Sequence, residues 1–225
     1  MNTNSLTEIA YILDRSGSMQ SMQEPAVAAF NEFLRDQISV PGAARLSLIQ
    51  FDDQYEVPVS SRPLAEVPQL TAATFQPRGS TALLDAIGRT IKETDRRLEA
   101  LPAAERPAKV IFAIFTDGME NASREYTSRH ISDLIALYRK EKGWEFLFLA
   151  ANQDAIATAS QMQMDVHLSG NVQFTASGIK STGRALSRKV NAMRRLVIDK
   201  NDVDAMADQA LSMNEILREE EAKES

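Results

Sequence analysis

Asp14, Ser16 and Ser18 stand at alternate positions in Asp14-Arg15-Ser16-Gly17-Ser18. One carboxylate and two hydroxyls on a short, glycine-containing loop offer hard oxygen ligands in a small volume. Two later segments can complete the set: Gly79-Ser80-Thr81 adds a third hydroxyl, and Thr116-Asp117-Gly118 adds a second carboxylate. Ligation by oxygen alone, without imidazole or thiolate, selects Mg²⁺, with Mn²⁺ or Ca²⁺ as substitutes, over zinc or copper. Two carboxylates and three neutral hydroxyls leave such an ion short of charge, so a Glu or Asp from a partner protein can take an open position. Each piece alone also fits a polar turn or a helix cap, because Asp, Ser and Gly favour both. All three pieces are present, in order, which favours a metal site over three separate turns.

These side chains can meet only if the intervening elements carry them to one edge. Apolar strands are expected at Leu6–Leu13, Arg45–Phe51, Tyr55–Ser60, Lys109–Thr116, Trp144–Ala151 and Met164–Leu168. The continuous runs Val110–Phe115 and Phe146–Leu149 read as strands buried on both faces. Tyr55-Glu56-Val57-Pro58-Val59 alternates, contains a proline and follows the turn Asp52-Asp53-Gln54, so it reads as an antiparallel edge strand. Helical spacing appears over Met19–Ile38, Thr81–Leu101 and Thr127–Lys142. The alternation predicts an α/β fold: a Rossmann-like open, mostly parallel twisted sheet of about six strands, with one antiparallel edge strand and helices on both faces. Ligands gather at the carboxyl edge of such sheets, and Asp14, Asp117 and Asn152 all fall just past strand ends.

The 225 residues suffice for one well-buried core, which we assign to residues 1–168, followed by a helical extension over residues 169–225 that packs on or beside it. That extension holds a basic helix, Phe174–Arg195, and a last helical stretch striped by Met206, Ala210, Met213 and Leu217. The absence of cysteine excludes disulfides and thiolate chemistry. No signal peptide or membrane-length apolar run is visible, so the expected location is cytoplasmic, with no membrane partner. A net charge of −6 argues against non-specific nucleic-acid binding.

The ordered set Asp-x-Ser-x-Ser, Thr in Gly-Ser-Thr and Asp in Thr-Asp-Gly resembles the metal-ion-dependent adhesion site of von Willebrand factor type A domains. All five matching positions are present, and the resemblance covers roughly residues 6–168. Gly79–Ile87, Thr116–Asn121 and Ala151-Asn152-Gln153-Asp154-Ala155 look like the stand-alone bacterial, intracellular branch of that family. The resemblance implies a non-catalytic protein-binding module. In it Ser16 and Ser18 would hold the cation directly, Thr81 directly or through water, and Asp14 and Asp117 mostly through water.

Around the five metal positions a partner-binding rim is expected from Arg15, Met19, Ser80, Met119, Glu120, Asn121 and Asn152. Several have rival readings. Arg15 steers acidic partners or is simply solvated; Met19 and Met119 form soft contact surface or belong to the core. Glu120, Asn121 and Ser123 contact a ligand or cap the helix that follows. Asp85 complements a helix dipole. The stripe Lys180, Arg184, Arg188 and Arg195 meets nucleic acid, an acidic partner or the acidic C-terminal segment of the same chain, a solvated face being the default. The alternative function is a Mg²⁺-dependent phosphohydrolase or phosphotransferase of the haloacid-dehalogenase-like type. Such enzymes need a general acid two residues after the first Asp, where this chain has Ser16.

Overall fold

The first strand, β1 (Thr7–Asp14), is buried at every position, which its near-continuous apolar sequence requires of a strand covered on both faces. The computed structural model describes residues 5–117, 119–151, 157 and 159–223. A 3-10 turn (Gly17–Met22) follows β1 and leads into α1 (Gln23–Ser39). Next come β2 (Ala44–Phe51), β3 (Tyr55–Pro63), α2 (Leu83–Glu99), β4 (Lys109–Thr116), α3 (Ser128–Lys142), β5 (Glu145–Ala150) and β6 (Ser169–Asn171). The chain continues through α4 (Ala176–Ile198), α5 (Val203–Ala210) and α6 (Met213–Ala222).

The six strands are ordered β3-β2-β1-β4-β5-β6, and all neighbours are parallel except β2 and β3. Chain order reverses between β1 and β4. The carboxyl ends of those two strands, Asp14 and Thr116, therefore flank the crevice where open α/β sheets bind ligands. On one face, Phe30, Phe33 and Leu34 of α1, Leu186 and Val190 of α4, and Met213, Ile216 and Leu217 of α6 pack on Ile9, Tyr11, Ile111 and Leu147. On the other, Ile87 and Ile91 of α2 and Ile131 and Ile135 of α3 pack on Ile12, Phe112, Ile114 and Phe148.

The helix expected from Met19 begins at Gln23, after the 3-10 turn, and β3 runs to Pro63 rather than Ser60; two further elements differ more from their sequence reading. The sixth strand is Ser169–Asn171, while Val166–Leu168, inside the expected Met164–Leu168, forms a 3-10 turn. Gly170 explains this: a Cβ there would come within 2.6 Å of Leu217 Cδ1, so glycine lets α6 lie close to the strand. The last helical stretch is two helices, broken at Leu211-Ser212, where Ser212 and Glu215 form a reciprocal capping box. Met206 lies outside the buried stripe, at 52% exposure.

The basic helix pairs with the acidic end of its own chain. Arg188 reaches Asp208 at 2.7 Å and Glu219 at 2.5 Å, Arg184 reaches Glu220 at 3.5 Å, and Arg195 reaches Asp202 at 2.7 Å. Two further cations of α4 are buried. Lys189 Nζ donates to the carbonyls of Asp208, Gln209 and Leu211 at the end of α5. Arg194 donates to the carbonyls of Gln37, Val40 and Gly42 at the end of α1. Cations suit helix C-termini, whose last carbonyls lack intrahelical partners. Among the described residues no helix is long and apolar enough to cross a membrane.

Candidate metal centre

Asp14 closes β1 and is fully buried. Its Oδ1 accepts from the Ser16 amide at 2.7 Å, a local turn bond typical of Asp. Its Oδ2 accepts from the Thr116 hydroxyl at 2.5 Å, joining the ends of β1 and β4. Ser16 and Ser18 place their hydroxyl oxygens 3.0 Å apart, and Ser18 donates to Asp117 Oδ1 at 3.0 Å. Asp14, Ser16, Ser18 and Asp117 thus form one connected group drawn from two loops.

Thr81 is tied through its backbone to the loop after Asp117. Its amide donates to Asn121 Oδ1 at 2.9 Å, and its carbonyl accepts from the amides of Asn121 and Ala122 at 3.0 and 3.2 Å. On the other side, the Arg78 amide donates to the Arg15 carbonyl at 2.8 Å, and the Gly17 amide donates to the Gly79 carbonyl at 3.1 Å. The loop bearing Thr81 is therefore laced to both loops that carry the carboxylates. Gly79 makes this possible with φ +66°; a Cβ there would also meet Asp53 Oδ1 at 2.1 Å. Gly79→Ala is expected to cost about 1–2 kcal/mol of stability and to loosen Thr81. Urea unfolding, with an unchanged slope against denaturant, checks the first part.

The structure turns two expected rim residues inward. Arg15 is 5% exposed, its Nε donating to Asp52 at 3.1 Å and its terminal nitrogens to Glu56 at 3.0 and 2.6 Å. Met19 is fully buried in the core, so neither side chain lies on the exposed rim. Glu120 also faces inward: it accepts from the Leu84 amide at the start of α2 at 2.9 Å, and from the amides of Ala122 and Ser123. Ser80, Met119 and Asn121 are exposed, Met119 by 54%. Asn152 lies outside the described residues.

Several supporting residues were not assigned to the site from the sequence. Arg78 donates to Asp52 at 2.8 Å and to Glu56 at 2.8 Å, making a four-membered cluster with Arg15 behind the loop of Thr81. Those arginines hold the Glu56 carboxyl below its ordinary range. Asp85 accepts from the amides of Arg124, Glu125 and Tyr126 at 2.8–2.9 Å, fixing the loop after Asp117 rather than only facing the α2 dipole. Thr116, read as the end of a strand and the start of Thr-Asp-Gly but given no role of its own, is the donor that orients Asp14.

Electrostatically the site asks for a cation. Burial, and then the charge of Asp14, push the Asp117 carboxyl up to about 7. Arg15, the nearest cation in sequence, is turned away to Asp52 and Glu56. Among the described residues no three His, Cys, Asp or Glu gather as metal ligands. The donor set is two carboxylates with hydroxyls, which fits a hard cation and not one that needs nitrogen or sulfur.

No family model and no curated relative matches the chain. Solved structures do. Over 84% of this chain it superimposes, at a TM-score of 0.56 and 14% identity, on a von Willebrand factor type A protein from Catenulispora acidiphila, of which it covers 43%. Proximal thread matrix protein 1 of the mussel byssus, in a structure with a zinc-occupied MIDAS motif, gives the same TM-score at 15% identity, with 84% of this chain and 47% of that one covered. The pilus adhesin SpaC of Lactobacillus rhamnosus GG gives 0.59 at 13% identity, over 86% of this chain and 31% of that one. This chain thus spans less than half the length of each of these proteins. With its parallel sheet, single antiparallel edge strand and helices on both faces, its fold is that of the von Willebrand factor type A domains.

Proposed function

We propose that the chain is a non-catalytic, metal-dependent protein-binding module. The observation that carries this reading is the convergence of Asp14, Ser16, Ser18 and Asp117 into one hydrogen-bonded group, with the Thr81 loop laced to both sides of it. Asp14, Ser16, Ser18, Thr81 and Asp117 would hold Mg²⁺, or Mn²⁺ or Ca²⁺ in its place. When bound, the ion would offer an open coordination position to a Glu or Asp oxygen of a partner. Ser18, exposed at the mouth, marks the side from which such a group enters, with Ser80, Met119 and Asn121 around it and Asn152 assigned there from the sequence. The zinc-occupied motif of the mussel protein supports a divalent ion at the corresponding site here. A phosphohydrolase has less support, because the position that would supply the general acid is the Ser16 hydroxyl, paired with Ser18. A chain without cysteine suits a reducing compartment, and we place it in the cytoplasm of a bacterium.

The test is titration with Mg²⁺ followed by capture of partners from lysate, with and without chelator. Thr81→Ala is expected to weaken Mg²⁺ by at least about tenfold and to lose the capture. If Thr81→Ala retains the same proteins as wild type in Mg²⁺, this site is not the contact surface. Hydrolysis of an aryl phosphate that vanishes in the same variant would favour the enzyme.

A further inference from the structure

A cleft of mixed polar and apolar lining lies at the opposite, amino-terminal margin of the sheet. Its volume is about 590 Å³, and it opens between the starts of β1 and β2, the end of β3 and the last turn of α2. Small-molecule sites commonly fall between about 300 and 1,000 Å³. Glu8 sits in its lining at 1% exposure; its Oε1 accepts from Arg97 Nη2 at 2.8 Å and its Oε2 from the Ser61 hydroxyl at 3.0 Å. Burial raises the Glu8 carboxyl above its ordinary value, against the pull of Arg97.

Ser61 occupies the left-handed region at φ +44°, which is uncommon for a residue other than glycine. It belongs to a bulged stretch of β3, where the register against β2 shifts between Leu46 and Leu48. The surrounding groups hold it there: its amide donates to Ser47 Oγ at 2.8 Å, and its carbonyl accepts from Arg45 Nε at 2.8 Å. Backbone held in a sparsely populated conformation is over-represented at ligand sites. The bonds to Glu8 and Ser61 engage only one nitrogen on each arginine. Among the described residues, both terminal nitrogens of Arg45, and Nε and Nη1 of Arg97, have no protein acceptor. Leu98, Leu101 and Pro107 supply an apolar wall beside them.

We propose that this cleft binds a small molecule with an apolar body and one terminal oxyanion, a carboxylate or a phosphate. The oxyanion lies on the free guanidinium nitrogens of Arg45 and Arg97, and the body lies against Leu98, Leu101 and Pro107. A guanidinium presents its donors in a planar fork that matches such an oxyanion. Glu8 is bonded directly to Arg97, whereas Arg45 acts on it only through its charge. Glu105 lines the same cleft on a separate turn. This inference does not depend on the metal centre.

The test uses the full chain with chelator present and titrates hexanoate, hexyl phosphate and hexanol, read by calorimetry and by amide NMR shifts. One or both anions are expected to bind saturably, with hexanol at least about tenfold weaker. The two anions separate the possible sources of the oxyanion. Arg45 is exposed, so Arg45→Met is expected to fold, to weaken the anion about tenfold, the value of one charge-assisted hydrogen bond, and to leave Mg²⁺ affinity unchanged. In the wild type the shifted amides should cluster at Glu8, Ser61 and Arg97. The proposal fails if neither anion saturates, if hexanol binds equally well, if Arg45→Met binds as wild type does, or if the shifts gather at Thr81 and Asn121 instead.

Discussion

Asp14→Asn is expected to abolish the stabilisation that Mg²⁺ confers while leaving the metal-free protein no less stable than wild type. The two halves have different causes. Without metal, Asp14 and Asp117 are like charges in a buried place, and Asp14 is one of the reasons the Asp117 carboxyl is pushed up. An asparagine keeps an oxygen for the Ser16 amide, and its own amide can donate to the Thr116 hydroxyl, which turns to accept. Both of these bonds keep a partner, and a repulsion is removed. With metal, a charged ligand is missing. At a hundredfold excess over its Kd, a bound ion stabilises the fold by about 2.7 kcal/mol, and this increment should vanish. Urea unfolding of both proteins, in Mg²⁺ and in chelator, reads the effect directly. A variant that keeps the Mg²⁺ increment would place the ion somewhere else.

Arg194→Met should be strongly destabilising, by about 2–4 kcal/mol. Arg194 is 2% exposed and donates to the carbonyls of Gln37, Val40 and Gly42, and to Gln37 Oε1 at 3.0 Å. Burial without a carboxylate partner pulls its guanidinium down to about 10, so the fold bears a desolvation cost to keep the cation there. Methionine relieves that cost but leaves several carbonyls without a donor where α1 ends. Orphaned buried acceptors cost about 1–3 kcal/mol each, and their number decides the sign. Denaturant unfolding of Arg194→Met beside Arg184→Met, whose side chain is 25% exposed, separates this capping from the surface charge stripe. Equal losses in the two would show that the carbonyl bonds carry no special weight.

The legibility of the chain followed the range of its interactions. β4 was readable to the residue, Lys109–Thr116, because an unbroken apolar run has few other uses in an α/β chain. The turn at Asp52–Gln54 was legible too, since it depends on neighbours in sequence. The inward turn of Arg15 was not, because its carboxylates stand 37 and 41 residues away. Met19 was ambiguous because a single methionine beside a polar loop carries no periodicity. On α4 the sequence displays a basic stripe, and Lys189 and Arg194 look like more of it. Only the tertiary arrangement, which sets the ends of α1 and α5 against that helix, makes them buried caps. β6 escaped because three residues including a glycine resemble a turn, and its strand character comes from pairing with β5.

The two margins of the sheet bear on how the protein behaves when concentrated. β3 pairs only with β2, and along its nine residues it carries Pro58, Pro63 and two shifts of register. β6 is three residues long, and the amide of Asn171 is already bound by Asn214 of α6 at 3.1 Å. Lateral growth by strand addition needs a long, straight, unpaired backbone, and neither border offers one. The molecule should accordingly resist fibril formation at high concentration, so that any self-association would proceed through side chains.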